Sequence, residues 1–255
     1  MIIDTHVHLN DKRFIDNLDS IINEAINHNV KKMIVIGYDQ SSSLKAIEIA
    51  NKYDFVFAAI GVHPSDVKDL KDDNLDWLIE GLKNDKVVAI GEVGLDYYWD
   101  KSYKEKQIHF FKKQLEIARK YNYPLVIHSR DAIQETFDIL KESKTKGVMH
   151  CYSGSLEMAL EFIKIDYLLG IGGVVTFKNA GLRGVVEKVE SKYLLTETDS
   201  PYLAPVPHRG KTNYPKYTAL VLEEIAKLKN VDKDELEKIL EENTYRLFER
   251  LKWRK

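Results

Sequence analysis

The sequence predicts an α/β chain folded as a closed (β/α)8 barrel of the TIM type, and three observations carry that expectation. Short β-branched runs alternate with amphipathic helical runs along the whole chain, the rhythm of parallel strands joined by right-handed crossovers. Eight such units fit into 255 residues, the usual dimensions of this barrel. The first strand-to-helix turn carries no Gly-x-Gly-x-x-Gly, which argues against an open doubly wound sheet, and the first strand carries histidines instead.

In chain order, Ile2-Ile3 opens a strand that runs into His6-Val7-His8. Leu18, Ile21, Ile22, Ala25 and Ile26 then recur at i, i+3, i+4, i+7 and i+8, one apolar face of a helix. A buried strand follows over 33–37, a helix over 44–53, and a strand over 55–61 that ends in Val62-His63-Pro64. A helix over 75–82 precedes a strand over 87–91 ending at Glu92. The segment 107–121 puts Ile108, Phe111, Leu115 and Ala118 on one stripe, and the strand 125–127 ends at His128. A helix over 133–140, a strand over 147–149 ending at His150 and a helix over 156–163 keep the alternation. The seventh strand is expected over 167–175, a helix over 182–189, and the eighth strand over 193–196, running into Glu197-Thr198-Asp199. Helices over 216–229 and 233–250 close the chain, so one helix lies beyond the eight units. Its start is marked by Asp232 with Glu235 three residues on, a capping-box pattern, and by Val231 placed to staple onto Leu236. No low-complexity linker or shift in composition interrupts the rhythm, so residues 1–255 read as a single barrel domain.

Bulk composition narrows the partners. With 38 basic and 40 acidic side chains the formal net charge is -2, so no global positive field draws the chain to nucleic acid or to anionic lipid, and any phosphate recognition has to be local. The single cysteine, Cys151, excludes an internal disulfide and fits a reducing compartment. No apolar run approaches the roughly 20 residues of a membrane helix, and Met1-Ile2-Ile3-Asp4 lacks the basic and apolar regions of a signal peptide. The expectation is a cytoplasmic protein with no membrane association, and no obligate protein partner is inferred.

The chemistry-bearing residues collect at strand ends. Alternation along a strand places His6 and His8 on one face, which makes half of a metal site. His63, Glu92, His128, His150 and Asp199 stand at the ends of strands 3, 4, 5, 6 and 8, and in a barrel all those ends face one mouth. Nitrogen-rich ligands without paired thiolates favour zinc, manganese or iron over calcium or magnesium. Even with His63 set aside, four histidines and two carboxylates exceed the needs of one site with an open position and suit two ions sharing a carboxylate and a solvent molecule. Metal-assisted hydrolysis is the reaction class that follows. His28 at a helix C-terminus and His109 inside a helical run read as structural or surface residues, and Cys151 as a buried apolar side chain pointing away from His150. Glu197 shares a face with Asp199 and reads as a support for the ligands. The basic loop 205–211 borders the mouth, where Arg209 and Lys211, with Arg130 beyond His128, are candidates for phosphate capture.

Taken together, His6-Val7-His8, Gly61-Val62-His63-Pro64, Gly91-Glu92-Val93-Gly94-Leu95-Asp96, Ile127-His128-Ser129-Arg130, His150-Cys151-Tyr152-Ser153-Gly154, Glu197-Thr198-Asp199-Ser200-Pro201 and Asn243-Thr244-Tyr245-Arg246-Leu247-Phe248 resemble, in order, the TatD family of metal-dependent deoxyribonucleases. The resemblance spans essentially the whole chain and implies a distorted barrel of the amidohydrolase type. It implies that His6, His8, Glu92 and Asp199 hold one divalent ion and Glu92, His128 and His150 a second, the metals being zinc, manganese or magnesium. The chain departs from the family pattern at Tyr152, where phenylalanine is frequent, and after Arg209-Gly210-Lys211, where Thr212-Asn213-Tyr214-Pro215 replaces the expected arginine and Asn-Glu-Pro.

The expected function is therefore a dinuclear deoxyribonuclease in which metal-bound hydroxide attacks the phosphodiester. Glu92 bridges the ions, Asp199 takes or relays the proton, and His63 orients the phosphate with Arg209 and Lys211. Two rivals share the same residues: hydrolysis of small esters, amides or lactones at the same metals, and a non-catalytic metal-containing scaffold.

Overall fold

The computed structural model describes residues 1–251 and forms one parallel sheet in which strands 1 to 8 follow chain order. The strands are β1 (Ile2–Val7), β2 (Val30–Ile36), β3 (Val56–Ile60), β4 (Val87–Asp96), β5 (Leu125–Arg130), β6 (Gly147–Met149), β7 (Tyr167–Ile171) and β8 (Leu194–Thr196). Around them lie α1 (Leu18–Asn27), α2 (Gln40–Lys52), α3 (Asp76–Gly81), α4 (Lys104–Tyr121), α5 (Ile133–Ser143), α6 (Leu156–Lys164), α7 (Leu182–Lys188), α8 (Thr218–Lys229) and α9 (Lys233–Leu247). The expected (β/α)8 barrel with an extra C-terminal helix is what the chain adopts. Among the described residues no helix is long and apolar enough to cross a membrane.

Strand alternation sorts the side chains into two apolar layers. Met33, Val35, Val56, Ala58, Ile60, Leu125, Ile127, Tyr167 and Leu169 face the helices. Ile34, Ile36, Phe57, Ala59, Val88, Val126, Val148, Leu168 and Leu195 face inward and fill the barrel, closed from below by Leu247 at the end of the last helix and by Phe248 and Leu251 after it. Counting two residues on from Val126, Val148 and Leu195 gives His128, His150 and Glu197, so the polar centre is the next layer up from the apolar plug. The apolar packing beneath fixes the register that aims the imidazoles.

The seam between β1 and β8 departs from a regular ladder. Only Val7 and Ser200 pair as a bridge, and side chains supply much of the rest. Thr5 Oγ1 donates to Thr196 O at 3.0 Å and Thr196 Oγ1 to Ile3 O at 3.1 Å. Buried Asp4 accepts the Thr198 amide at 2.9 Å and its hydroxyl at 2.6 Å. This stitching presses the histidines of β1 against Asp199, whose amide donates to His6 O at 2.9 Å.

Of the boundaries that differ from those the periodicity predicts, three have a clear physical cause. β4 continues past Glu92 to Asp96, because Gly94 at φ +143 passes under His128, where a Cβ would stand 1.9 Å from the carbonyl oxygen. β7 stops at Ile171 rather than at 175, since Gly172-Gly173 breaks the run and 173–176 winds into a 3-10 turn. The last helix ends at Leu247, short of 250, and a 3-10 turn over Glu249–Leu251 tucks Leu251 under the barrel. Its start is as expected in one half: Asp232 accepts the Asp234 and Glu235 amides, while Val231 stays 41% exposed.

Candidate metal centre

The β-strands bring every strand-end residue of the constellation into one cluster. His6 Nε2 and His8 Nε2 lie 3.3 Å apart. Glu92 Oε2 is 3.5 Å and Asp199 Oδ1 3.6 Å from His6 Nε2, and Asp199 Oδ1 is 3.4 Å from His8 Nε2. Ligand bonds of 2.0–2.1 Å in a tetrahedron set donor separations of roughly 3.3–3.4 Å, so His6 and His8 are spaced to share an ion with Glu92, and Asp199 faces the same two rings. The donor set fits the metal the sequence implies.

The other oxygen of Glu92 faces a second group. Oε1 lies 2.9 Å from His128 Nδ1, 3.7 Å from His150 Nε2 and 3.7 Å from His63 Nε2. One buried carboxylate thus points its two oxygens at two sets of imidazoles. His150 leans both ways, its Nε2 3.9 Å from Asp199 Oδ1 and its ring stacked on His6 with centroids 3.4 Å apart.

Charge follows this geometry. Burial alone would raise the Glu92 carboxyl, but His63, His150, His128 and His6 outweigh it and hold the group well below the usual carboxylate range. Burial opposes protonation of His150 as well, yet Glu197 and Glu92 push it up to about 10. His128 is raised in the same way by Asp96 and Glu92. His6 is lowered by burial and by His150, which favours its neutral ring.

His63 stands apart in the cluster. The Ser65 amide donates to its Nδ1 at 3.1 Å, so in the neutral ring the proton sits on Nε2, the nitrogen that faces Glu92 and the shared cavity. Burial and the neighbouring His128 lower this ring to about 3. His63 is thus built to donate a hydrogen bond rather than to offer a lone pair.

Residues behind the cluster set which ring nitrogens face the cavity. His128 Nε2 meets Asp96 Oδ2 at 2.9 Å, leaving Nδ1 for the cavity, and His150 Nδ1 lies 2.9 Å from Glu197 Oε1, leaving Nε2. Glu197 acts as the expected support. Asp96 and Asp4 went unassigned in the sequence, although each shares a strand face with a ligand, at i+4 from Glu92 and i-2 from His6. Asn213 was also missed: it is buried, and its Nδ2 donates to Thr198 O at 2.8 Å and Tyr202 O at 2.7 Å, clamping the turn that carries Asp199. Gly170 makes room for Glu197, since a Cβ there would lie 2.3 Å from Oε2. Glu197→Gln is expected to weaken metal binding about 10- to 100-fold; calorimetric titration reads the loss, and unchanged affinity counts against the supporting role.

Cys151 corrects an expectation. Its left-handed backbone, φ +45, turns the thiol toward the cluster instead of away, so that it shares a 4.8 Å neighbourhood with His150 and Glu197. Burial and the carboxylates of Asp199, Glu197 and Glu92 raise this thiol well above its ordinary value, so it stays protonated. His28 and His109 lie at the surface as expected, on Glu24 O and Asp73. Tyr152 spends its extra hydroxyl on Ser155 O at 2.6 Å.

The cationic candidates occupy the rim. Arg130 is exposed at the end of β5, its guanidinium 3.7 Å over the Tyr98 ring. Arg209 is exposed and lies 4.4 Å over Phe177, and Lys211 is exposed beside it. His208, just before Arg209, stacks on Tyr217, centroids 4.1 Å apart.

Comparison with known proteins gives the family. The sequence profile of the family described as TatD related DNase matches residues 3–249. The chain belongs to the TatD-related DNase family. A protein from Bacillus subtilis strain 168, described as the uncharacterized metal-dependent hydrolase YabD, is 44% identical over 97% of this chain and 99% of its own length. The crystal structure of YjjV, a TatD homologue from Escherichia coli K12, superposes with a TM-score of 0.94 at 32% identity, covering 97% of this chain and 98% of that one. A TatD-family hydrolase from Entamoeba histolytica superposes at 0.87 with 25% identity over 97% of each chain. This TatD protein is a metal-dependent hydrolase.

Proposed function

We propose that the protein is a dinuclear-metal deoxyribonuclease that hydrolyses DNA phosphodiesters, from an end and with limited sequence preference. The observation that carries the reading is Glu92, whose Oε2 faces His6 while Oε1 faces His128, His150 and His63. His6, His8, Glu92 and Asp199 would hold one ion, and Glu92, His128 and His150 the other. Two divalent ions, zinc, manganese or magnesium, would supply an acidified water and positive charge at phosphorus.

The chain's own groups supply the rest. His63 donates its Nε2 proton as a hydrogen bond to a phosphoryl oxygen, and its low proton affinity keeps it a neutral donor at working pH. Asp199 is held below the usual carboxylate range by His8, His150 and His6 against burial, so it is ionised and able to take the proton of the attacking water. Arg130 at the rim meets the neighbouring phosphate, and Arg209 and Lys211 on the loop after β8 meet phosphates further out.

A panel of single-stranded and duplex DNA, small esters and lactones under matched metals tests the reading. DNA cleavage that disappears with chelator and returns with one of the three metals is expected. Turnover of esters or lactones without any DNA cleavage overturns it.

A further inference from the structure

The three residues after Asp96 divide sharply. Tyr97 turns inward and its hydroxyl donates to Glu135 at 2.9 Å, whereas Tyr98 and Trp99 turn outward, 53% and 72% exposed. The outward pair meets edge to face, centroids 4.9 Å apart and planes at 88°. Arg130 covers one side of the pair, 3.7 Å from the Tyr98 centroid and 5.4 Å from that of Trp99.

The guanidinium is open to an anion, and the group is tied to the metal cluster. Among the described residues no carboxylate pairs with the Arg130 guanidinium, whereas Arg13 is held by Asp11 at 2.8 Å and Arg183 by Glu224 at 2.6 Å. The one acid adjacent to Trp99, Asp100, caps the next turn instead, accepting the Ser102 amide and hydroxyl. The group is also tied to the metal cluster: the Tyr98 amide donates to Asp96 Oδ1, whose Oδ2 meets His128, and the Tyr97 amide donates to Arg130 O.

Exposed aromatic faces next to an unpaired guanidinium match a base joined to a phosphate. Such faces favour unpaired bases, because inside a duplex both faces of each base are already stacked. Resting on the nuclease reading, we infer that Tyr98, Trp99 and Arg130 form a subsite for single-stranded DNA, stacking one base and holding the adjoining phosphate beside the scissile bond. The subsite supplies the local phosphate recognition that a net charge of -2 requires.

Metal-free protein titrated with short oligothymidylate gives a readout independent of turnover, since Trp99 is one of three tryptophans and stacking quenches its fluorescence. Trp99→Ala, Tyr98→Ala and Arg130→Gln are each expected to weaken binding about tenfold, measured by anisotropy, and to raise KM for the oligonucleotide similarly with kcat within about twofold. Trp99→Phe keeps the affinity and loses the quench. A wild-type protein that cleaves DNA while these variants bind and cleave as it does overturns the subsite and leaves the nuclease reading standing. Equal affinity of wild type for single strand and duplex also overturns the subsite. A wild type that neither binds nor cleaves DNA removes both.

Discussion

Glu92→Gln is expected to lower kcat by roughly 10³-fold or more, because it removes the one carboxylate that faces both sets of imidazoles. The amide keeps the shape of the side chain and leaves the apolar plug of Phe57, Val88, Val126 and Leu195 untouched, so the barrel still folds. The loss is electrostatic. At the wild-type position a carboxylate survives in a buried site only because His63, His150, His128 and His6 surround it. An amide offers one neutral oxygen and would not serve the two cations of the proposed centre, so metal content at saturation is expected to fall along with turnover. Elemental analysis of the purified variant, alongside its circular dichroism, separates this outcome from misfolding. A folded variant that retains full activity would falsify the bridging role.

The histidines and carboxylates at the strand ends were legible because barrel topology turns a list of ends into one place. Alternation then did the aiming: the same two-residue period that puts Val126 and Val148 inside puts His128 and His150 above them. Asp96 was hidden because the expected strand ends at Glu92, while in the barrel Gly94 lets β4 continue past β5. Asp4 was hidden for another reason. A charged residue on an opening strand looks solvated, and only the irregular seam with β8 reveals that Thr198 satisfies it. Cys151 was misread since strand parity holds only while the strand lasts, and β6 ends at Met149. The subsite at Tyr98 and Trp99 was out of reach of periodicity altogether, because it depends on which side of a non-repetitive turn each ring leaves.

Metal loading is expected to raise Tm and to release protons. Saturation at about 100 times Kd contributes roughly 2.7 kcal/mol per ion, which for a domain of this size is about 5–10 °C. The sign of the pH dependence comes from His150, whose ordinary value of 6.5 is raised to about 10 by Glu197 and Glu92 in spite of burial. In the metal-free protein its charged pair stabilises the fold fully below pH 6.5 and loses that contribution as pH rises through about 10. A metal must displace the same proton, so between these limits its affinity rises, by up to about tenfold per pH unit for each proton displaced. His128 and His8, also raised by their carboxylates, add to the release, while His6 and His63, both lowered, add little. Scanning fluorimetry with metal or chelator at pH 6.5 and 8.5 should show the larger metal-induced gain at the higher pH. Calorimetry in buffers of different ionisation enthalpy counts the protons. A gain in Tm that shrinks as pH rises, or metal binding without proton release, would mean that the ring nitrogens facing Glu92 are not the ligands.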